Sequence, residues 1–501
     1  MKAVVEVNVY KQKGRISPYI YGQYFEHLED CIYPSVMDSL SPNSNEVGLR
    51  QDVIEAAKEL SVPIIRWPGG CFADFYHWED GIGPKEERPV RRNWHWGGLE
   101  SNQFGTDEFL KWCEAVGADP YINFNLGTGT LDEALRWMDY CIGTEETTDV
   151  LRRKANGREA PYHVKHWGVG NETWGFWEAG QMDALTYSQK IRNWVEFIKK
   201  YQADSSILAV GSNGGLDPEW DAEVLKQAGT FIDYLTIHNY GFSVDRESGD
   251  EYYSVVFSPT YFKKQIEQMI STIEDYEKTL SSDHYVKISM DEWNIRHFIE
   301  DENGRYHLNR KSPRNIQDAI FAAGILNTMI QLSPRVGMAN YVFLVNGNGV
   351  MNVNEEGVVK TPLYYVFQQY GRWMNGVSLE TSIDSPTRIA PTPQLIDPYY
   401  KREYTEEVVS YIDTAASLND DGSIVISIIN RHQDEEIDIE LVIPNGLQPT
   451  EIWTLNHHDI YAANDFDNPE NILPTIEKIE EKITSWKCPA HSLVLIKCEQ
   501  E

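Results

Sequence analysis

Apolar and polar positions along the chain alternate between short strand-like runs and longer helical segments. Each apolar run is followed by a segment with apolar residues at three- and four-residue intervals, as in residues 52–60. The predicted strands are 19–26, 62–67, 120–125, 164–172, 207–211, 231–240, 286–292 and 339–345. Eight βα units within residues 14–374 predict an α/β fold, a (β/α)₈ barrel with enlarged loops.

A doubly wound parallel sheet is the competing topology, because it is built from the same βα units. Such a sheet places a glycine-rich phosphate-binding fingerprint after its first strand. No such fingerprint follows residues 19–26. The pattern therefore favours the barrel.

The hydrophobic pattern changes after Trp373. Short strands are predicted at 406–412, 423–430, 437–443 and 492–497, and residues 419–422 (NDDG) are typical of a hairpin turn. This region predicts an all-β sandwich over residues 375–501. The alternating strand within residues 1–13 precedes the barrel, and we expect it to pair with the sandwich.

Charge and composition narrow the classes of function. The chain has 44 Lys and Arg against 77 Asp and Glu, a net charge of −33, which would repel nucleic acid. No apolar run reaches the length of a membrane span, and residues 1–14 lack the apolar block of a signal peptide. The six cysteines are scattered, without metal-ligand spacing. We expect a soluble cytoplasmic protein with no membrane or nucleic-acid partner.

The active site of a barrel lies at the carboxyl ends of its strands. This chain places there carboxylates, amides, imidazoles and indoles, a set that suits a neutral, hydroxyl-rich ligand. The residues are Glu26, His27, Cys71, Asp74, Trp96, Asn123, Asn125, Asn171, Glu172, Asn213, His238, Asn239, Tyr240, Glu292, Trp293, Asn294, Asn346 and Asn348. Aromatic residues make up 12 % of the chain, and aromatic rings pack on sugar faces as well as in cores.

Glu172 and Glu292 follow strands four and seven, which face each other across the mouth of an eight-stranded barrel. Two carboxyls suffice to hydrolyse a glycosidic bond: one protonates the leaving oxygen, and the other attacks the anomeric carbon or activates water. We expect a separation of ~5 Å, the retaining geometry.

Each of these residues also has a structural interpretation. A single strand-end glutamate usually forms a salt bridge, and only the pair makes catalysis the better interpretation. The run 162–166 (YHVKH) resembles a metal-ligand spacing, but it lies at the start of its strand, so we predict no metal site. Cys71 is expected to be an inert buried thiol rather than a nucleophile.

Seven stretches give the chain a recognisable resemblance. They are YGQYFEHL (21–28), RWPGGCFADFYHWEDGIGP (66–84), ESNQFGTDEF (100–109), WGVGNETWG (167–175), IHNYG (237–241), DEWN (291–294) and MAN…LVN (338–346). In order and spacing they resemble the α-L-arabinofuranosidases of glycoside hydrolase family 51, a family of retaining glycosidases with a barrel and a sandwich.

The resemblance implies a role for each residue around the two carboxyls. Glu172 would be the general acid/base and Glu292 the nucleophile. Asn171 would bind the 2-hydroxyl of the cleaved sugar. His238 would hydrogen-bond near the acid/base, and Tyr240 would position the nucleophile.

Further from the scissile bond, Glu26 would bind distal hydroxyls of the furanose and Trp96 would stack beyond the bond. The family often has Asn where this chain has Cys71, and a glutamine in the segment that reads LVNGNG (344–349) here. Because both departures surround the sugar, β-xylosidase or endo-glucanase activity stays open, as does a non-catalytic carbohydrate-binding protein. The resemblance also implies a hexamer without cofactors that acts inside the cell on arabinose-bearing oligosaccharides.

Overall fold

The computed structural model describes residues 1–244, 251–391, 405–443, 446–480 and 483–500. Eight parallel strands pair in sequential order, and the eighth pairs with both the seventh and the first. Strands one to eight are Gly22–Tyr24, Ile64–Trp67, Asp119–Phe124, His166–Val169, Ser206–Ala209, Tyr234–Val244, Lys287–Glu300 and Val336–Tyr341. This closure confirms the predicted barrel, because a doubly wound sheet stays open at its edges.

Helices surround the barrel. They are Gln51–Leu60, Thr106–Val116, Leu131–Ile142, Thr148–Ala155, Ala184–Tyr201, Pro218–Ala228, Glu251–Val256, Ser258–Glu277, Ile316–Gln331 and Pro362–Trp373. Ala184–Tyr201 shows why these segments are helical: the Asp183 side chain accepts a hydrogen bond from Thr186 N, and Ile191, Val195 and Ile198 are buried on one face. Over the described ranges, no helix combines the length and apolar character needed to cross a membrane.

Strands four and seven do not end where the sequence predicts. Strand four ends at Val169, and the chain then turns through Gly170 and Glu172, whose φ angles are +99° and +40°. Strand seven runs past Glu292 to Glu300 and stays paired with strand six as far as Val244. Tyr306–Leu308 folds back antiparallel on its end. We call strand-six residues 241–244, strand-seven residues 295–300 and Tyr306–Leu308 the β-extension.

The chain after Trp373 is all-β, as predicted. Nine strands are hydrogen-bonded side by side in one sheet. In this sheet the N-terminal strand pairs antiparallel with Val377–Asp384 and parallel with Ile437–Val442. The nine are Lys2–Arg15, Val377–Asp384, Ile412–Leu418, Ile424–Asn430, Ile437–Val442, Leu447–Leu455, Thr475–Lys478, Ser485–Cys488 and Ser492–Gln500. The predicted hairpin turn joins the third and fourth of these strands, and Gly422 has φ +84°. The division between residues 374 and 375 stays a prediction.

The helix Ile316–Gln331 lies between the barrel and the all-β region. Residues 316–330 are all buried, and the helix contacts strand seven as well as strands Ile412–Leu418 and Ser492–Gln500. At its end the Gln331 amide donates to Thr414 O at 2.6 Å. One continuous cluster of buried apolar residues therefore spans both regions.

Candidate active site

A cavity of about 470 Å³ opens at the carboxyl ends of the barrel strands. Six of the eight predicted site residues line it: Glu26, Cys71, Trp96, Glu172, Tyr240 and Glu292. Asn171 and His238 are not among its lining residues. His238 contacts Glu172, which lines the cavity, and Asn171 contacts Arg66, which holds Glu292.

Glu172 is buried, and each of its carboxyl oxygens has a donor. Oε1 lies 2.8 Å from Nδ1 of His238, and Oε2 accepts from Nε1 of Trp177 at 2.9 Å. Burial acts to raise the pKa of Glu172, but the hydrogen bond and positive charge of His238 outweigh it and hold that pKa below its usual range.

Glu292 faces Glu172 from within strand seven, before the strand continues into the β-extension. Its Oε1 accepts from Nη1 of Arg66 at 2.7 Å and from the hydroxyl of Tyr24 at 3.2 Å. Its Oε2 accepts from the hydroxyl of Tyr240 at 2.6 Å. These donors fix the orientation of the carboxyl.

His238 lies between the two carboxyls. One oxygen of Glu172, one of Glu292 and a ring nitrogen of His238 all lie within 4.8 Å of one another. Burial alone would lower the pKa of His238, but Glu292, Asp291 and Glu172 outweigh it and raise that pKa to about 10. The ring is therefore an imidazolium at neutral pH, with Nδ1 on Glu172 and Nε2 3.2 Å from Asp291 Oδ1.

Arg66 is a buried cation that the sequence analysis did not identify as functional. Its Nη2 donates to Asn171 Oδ1 at 2.8 Å, and its guanidinium lies 5.1 Å from the centroid of the Tyr24 ring and 5.6 Å from that of Tyr121. The signal was a single charged residue in the buried strand IIRW. Through Asn171 and Glu292, Arg66 links the ends of strands four and seven.

Glu26 lies at one end of the cavity. Its Oε1 accepts from the backbone N–H groups of Gly70 and Phe72 at 3.1 and 3.0 Å, and from Nε1 of Trp96 at 3.1 Å. Burial, followed by the charge of Glu292, raises the pKa of Glu26 to about 7. The indole of Trp96 is half-buried, and the Arg310 guanidinium lies 5.0 Å from its centroid.

The two departures from the family pattern occupy different positions. Cys71 lines the cavity, and burial raises the pKa of its thiol well above the usual value. Asn346 is structural, since its amide donates to Ser35 Oγ and to Val353 O. Asn348 lines the cavity, but its amide nitrogen donates to the backbone and hydroxyl of Ser312.

Among the other strand-end residues, Asn294 lines the cavity, whereas His27 and Asn125 do not. His27 contacts Glu100 through Nδ1 at 2.8 Å and accepts from Trp67 Nε1 through Nε2 at 3.0 Å. Asn125 caps its own loop by accepting from Thr128 N at 2.9 Å. These residues are buried supports.

The sequence analysis missed residues that lie beyond the barrel strands. Several residues near or in the β-extension line the cavity: Arg296, Phe298, Tyr306, His307, Leu308 and Arg310. The Arg296 guanidinium lies 3.6 Å from the centroid of the Tyr240 ring. The residues after Asn294 (IRHFIE) do not alternate strictly between apolar and polar, so the sequence carried no clear signal for a longer strand.

Among the residues that the structure describes, two clusters have possible metal-ligand atoms within 4.8 Å of one another, Glu172/His238/Glu292 and Cys71/His95/Glu178. Metal ligands must be deprotonated. In the first, His238 is protonated, and its ring nitrogens point to carboxylates. In the second, the pKa values of Cys71 and Glu178 are raised, the latter to about 10, so both hold protons at neutral pH. A metal would have to displace these protons from either cluster.

Comparison with known proteins assigns the chain to a family. Residues 56–255 match the α-L-arabinofuranosidase 1 domain, and residues 291–492 match the α-L-arabinofuranosidase C-terminal domain. The chain is 33 % identical over 509 residues to α-L-arabinofuranosidase C of Emericella nidulans, which covers 98 % of this chain and 97 % of that protein. It is 31 % identical over 512 residues to an intracellular exo-α-L-arabinofuranosidase of Bacteroides ovatus (99 % and 96 %).

The crystal structure of α-L-arabinofuranosidase from Thermotoga maritima, an arabinose complex, has a TM-score of 0.87 and 33 % identity to this chain. The match covers 99 % of both chains. The chain belongs to glycoside hydrolase family 51. It shares with these family 51 relatives both the barrel and the C-terminal all-β domain.

Family 51 membership confirms the resemblance predicted from the seven stretches. The positions that carry it meet in one place: the GNE and DEWN segments supply Glu172 and Glu292, and IHNYG supplies His238 and Tyr240. The roles of these individual residues remain proposals.

Proposed function

We propose that this protein is a retaining, exo-acting α-L-arabinofuranosidase. Its substrates would be oligosaccharides from arabinoxylan or arabinan that carry terminal arabinofuranosyl residues. The observation that carries the proposal is the approach of Glu172 and Glu292, which place oxygens within 4.8 Å of each other in the cavity. This is close to the carboxyl separation of retaining glycosidases, about 5 Å, and supports retention over inversion, which uses a wider separation.

In the first step, Glu292 attacks the anomeric carbon and the bond to the leaving oxygen breaks. That oxygen takes the proton held in the Glu172–His238 hydrogen bond. His238 keeps this proton available at neutral pH, because its pKa is raised to about 10. The donors Arg66 and Tyr240 hold the Glu292 carboxylate in place for attack.

In the second step, water attacks the anomeric carbon and Glu172 takes a proton from it. The bond between the sugar and Glu292 breaks, which restores both carboxyls. Each displacement inverts the anomeric centre, so two of them give net retention. The proton taken from water restores the Glu172–His238 hydrogen bond for the next turnover.

The lining of the cavity and the name of one relative support exo action on a furanose. Trp96 and residues of the β-extension line the cavity together with the two carboxyls. Side chains from loops beyond the strand ends would enclose the terminal sugar of a glycan. The name of the Bacteroides ovatus relative describes an exo-acting enzyme. Glu26 would bind the distal hydroxyls, and the indole of Trp96 would face the next sugar.

We also propose a cytoplasmic location and a hexamer. The location is proposed because one relative is named intracellular, and the hexamer is proposed because of the family resemblance. Light scattering during gel filtration would test the assembly, with a mass six times that of the 57.6 kDa chain expected.

A panel of aryl glycosides tests the activity: α-L-arabinofuranoside, β-xyloside, β-glucoside and β-cellobioside. We expect the arabinofuranoside to be cleaved with the highest kcat/KM, and an arabinoxylan oligosaccharide to release arabinose alone. Preference for the xyloside or cellobioside, or release of larger fragments, would refute the proposed specificity.

A further inference from the structure

Two carboxyl groups, Asp74 and Glu178, lie together beneath the sugar cavity. Asp74 follows the PGGC turn after strand two, and Glu178 follows Glu172 in the loop after strand four. Their side chains are almost completely buried, with relative exposures of 0 % and 4 %. Neither forms a salt bridge to Lys or Arg in the described part of the chain.

Each carboxyl has one oxygen with a donor and one without. Asp74 Oδ2 accepts from Gly180 N at 2.7 Å, and Glu178 Oε1 accepts from Asn171 Nδ2 at 3.1 Å. Asp74 Oδ1 and Glu178 Oε2 are buried and have no donor among the described residues. The two carboxyls are in hydrogen-bonding contact with each other. A single proton between the two oxygens without donors would satisfy both.

The surrounding charges favour keeping this proton. Burial, then the charges of Asp74 and Glu172, raise the pKa of Glu178 to about 10. Burial raises the pKa of Asp74 to about 6, although Lys190 acts in the opposite direction. A hydrogen bond from the Cys71 thiol acts to lower the pKa of Glu178, whereas the charge of Glu292 acts to raise it.

We propose that Asp74 and Glu178 form a carboxyl dyad that shares one proton, and that its neutral member Glu178 is a positioning residue for Asn171. Arg66 fixes Oδ1 of the Asn171 amide, and Glu178 fixes Nδ2, so the amide cannot rotate. The second N–H of Nδ2 is then presented in one direction. This inference rests on the proposed role of Asn171 in binding the 2-hydroxyl of the sugar.

Neutrality also protects the charge balance of the catalytic pair. An ionised Glu178 would add a second negative charge near Glu172. It would raise the pKa of Glu172 and weaken the effect of His238. A glutamine at position 178 would reproduce the neutral acid: its carbonyl would accept from Asn171, and its amide would donate to Asp74.

The first test compares Glu178→Gln with Glu178→Leu on an aryl α-L-arabinofuranoside. We expect Glu178→Gln to stay within about three-fold of the wild type in kcat/KM. Glu178→Leu leaves the Asn171 N–H without an acceptor and should lose about ten-fold or more, mainly in kcat. Equal losses in both variants, or an unaffected leucine variant, would overturn the positioning role.

The second test measures the proton without using activity. A carboxyl with a raised pKa takes up a proton on folding, so its contribution to stability falls as pH rises above about 4.5. The wild-type Tm minus the Glu178→Gln Tm should therefore decrease between about pH 5 and pH 9. Glu100→Gln is the control: the Glu100 pKa is lowered, so its contribution to stability changes only below about pH 4.5, and the Tm difference should stay constant between about pH 5 and pH 9.

A constant difference in Tm between wild type and Glu178→Gln would overturn the shared proton. Infrared spectra at neutral pH should also lose a carboxylic acid C=O band in Glu178→Gln. Both measurements remain valid if the wild type fails to cleave arabinofuranosides. A failed dyad is thus distinguishable from a failed functional proposal.

Discussion

His238 stands at the centre of the charge balance in the active site. Its imidazolium lies among Glu172, Asp291 and Glu292, and together with Arg66 it offsets most of their negative charge. All five side chains are nearly buried. In such a low-dielectric site the position of one proton controls the state of both catalytic carboxyls.

Replacement of Glu172 by alanine should lower kcat/KM by about 10²–10⁴-fold on a substrate with a poor leaving group, because general acid catalysis is lost. Azide should restore turnover of an activated aryl arabinofuranoside, since it can enter the space left by the carboxyl and attack the glycosyl-enzyme. The product should be the α-arabinofuranosyl azide. If Glu292→Ala gives this same anomer, the two roles are assigned wrongly.

Replacement of His238 by glutamine should move the basic limb of the pH profile to lower pH. In the wild type the proton of the Glu172–His238 pair is held by a group with a pKa of about 10. Without the imidazole, Glu172 must hold this proton alone. A carboxyl loses its proton at a lower pH than an imidazolium does. The measurement is kcat/KM against pH, and an unchanged basic limb would exclude the shared proton.

At the residue scale, the functional side chains that follow strands could be predicted from the sequence. The side chains that act by contacting those residues could not. Glu172 and Glu292 could be found because a barrel fixes where strand ends meet. Arg66 gave only a weak signal, as the one charged residue of an apolar strand, and Glu178, which lies in a loop, gave none. Their partners are set by tertiary contacts such as Asn171.

The β-extension is the element that gives the cavity its depth. Strands six and seven continue together beyond the barrel rim, and Tyr306–Leu308 folds back to complete the wall. In this wall the rings of Phe242 and Phe298 pack together, with their centroids 5.9 Å apart. The sequence analysis ended strand seven at the catalytic position, because it assigned the following residues to a loop.

A change in this wall should affect binding more than chemistry. Tyr306 lines the cavity but belongs to the rim, so Tyr306→Ala should raise KM by about three- to ten-fold with little change in kcat. Ile299→Ala is a suitable control, because Ile299 lies on the same extension, is 47 % exposed and does not line the cavity. A fall in kcat with constant KM would show that the rim takes part in the reaction step.

At the scale of the whole molecule, the barrel and the all-β region share one core. The helix Ile316–Gln331 is buried along its length, and Tyr370 donates to Asn327 Oδ1 at 2.9 Å while lying 2.6 Å from Ser427 Oγ. The N-terminal strand Lys2–Arg15 precedes the barrel in sequence but belongs to the sheet of the all-β region. The two regions should therefore unfold together.

Leu326→Ala should lower the free energy of unfolding by about 2–5 kcal/mol, because it leaves a cavity in this shared core. Denaturant unfolding followed by fluorescence and by circular dichroism should give a single shared transition. Leu40→Ala is the matched control, since Leu40 is 95 % exposed. Separate transitions for the two probes would show that the regions unfold independently.

The overall architecture was predictable because hydrophobic periodicity determines both the number and the type of elements. The eight strands and the change at Trp373 follow from that pattern. For strands far apart in sequence, the pattern does not determine which strand is the partner or in what register the two pair. The pairing of residues 2–6 with residues 438–442, for example, is set by packing.

The stereochemistry of the reaction tests the central claim, a covalent intermediate on Glu292, most directly. Methanol should intercept this intermediate during hydrolysis of an aryl α-L-arabinofuranoside, and the methyl glycoside formed does not mutarotate. NMR of the first product should show methyl α-L-arabinofuranoside, with the configuration retained. Methyl β-L-arabinofuranoside as the first product would contradict the double displacement.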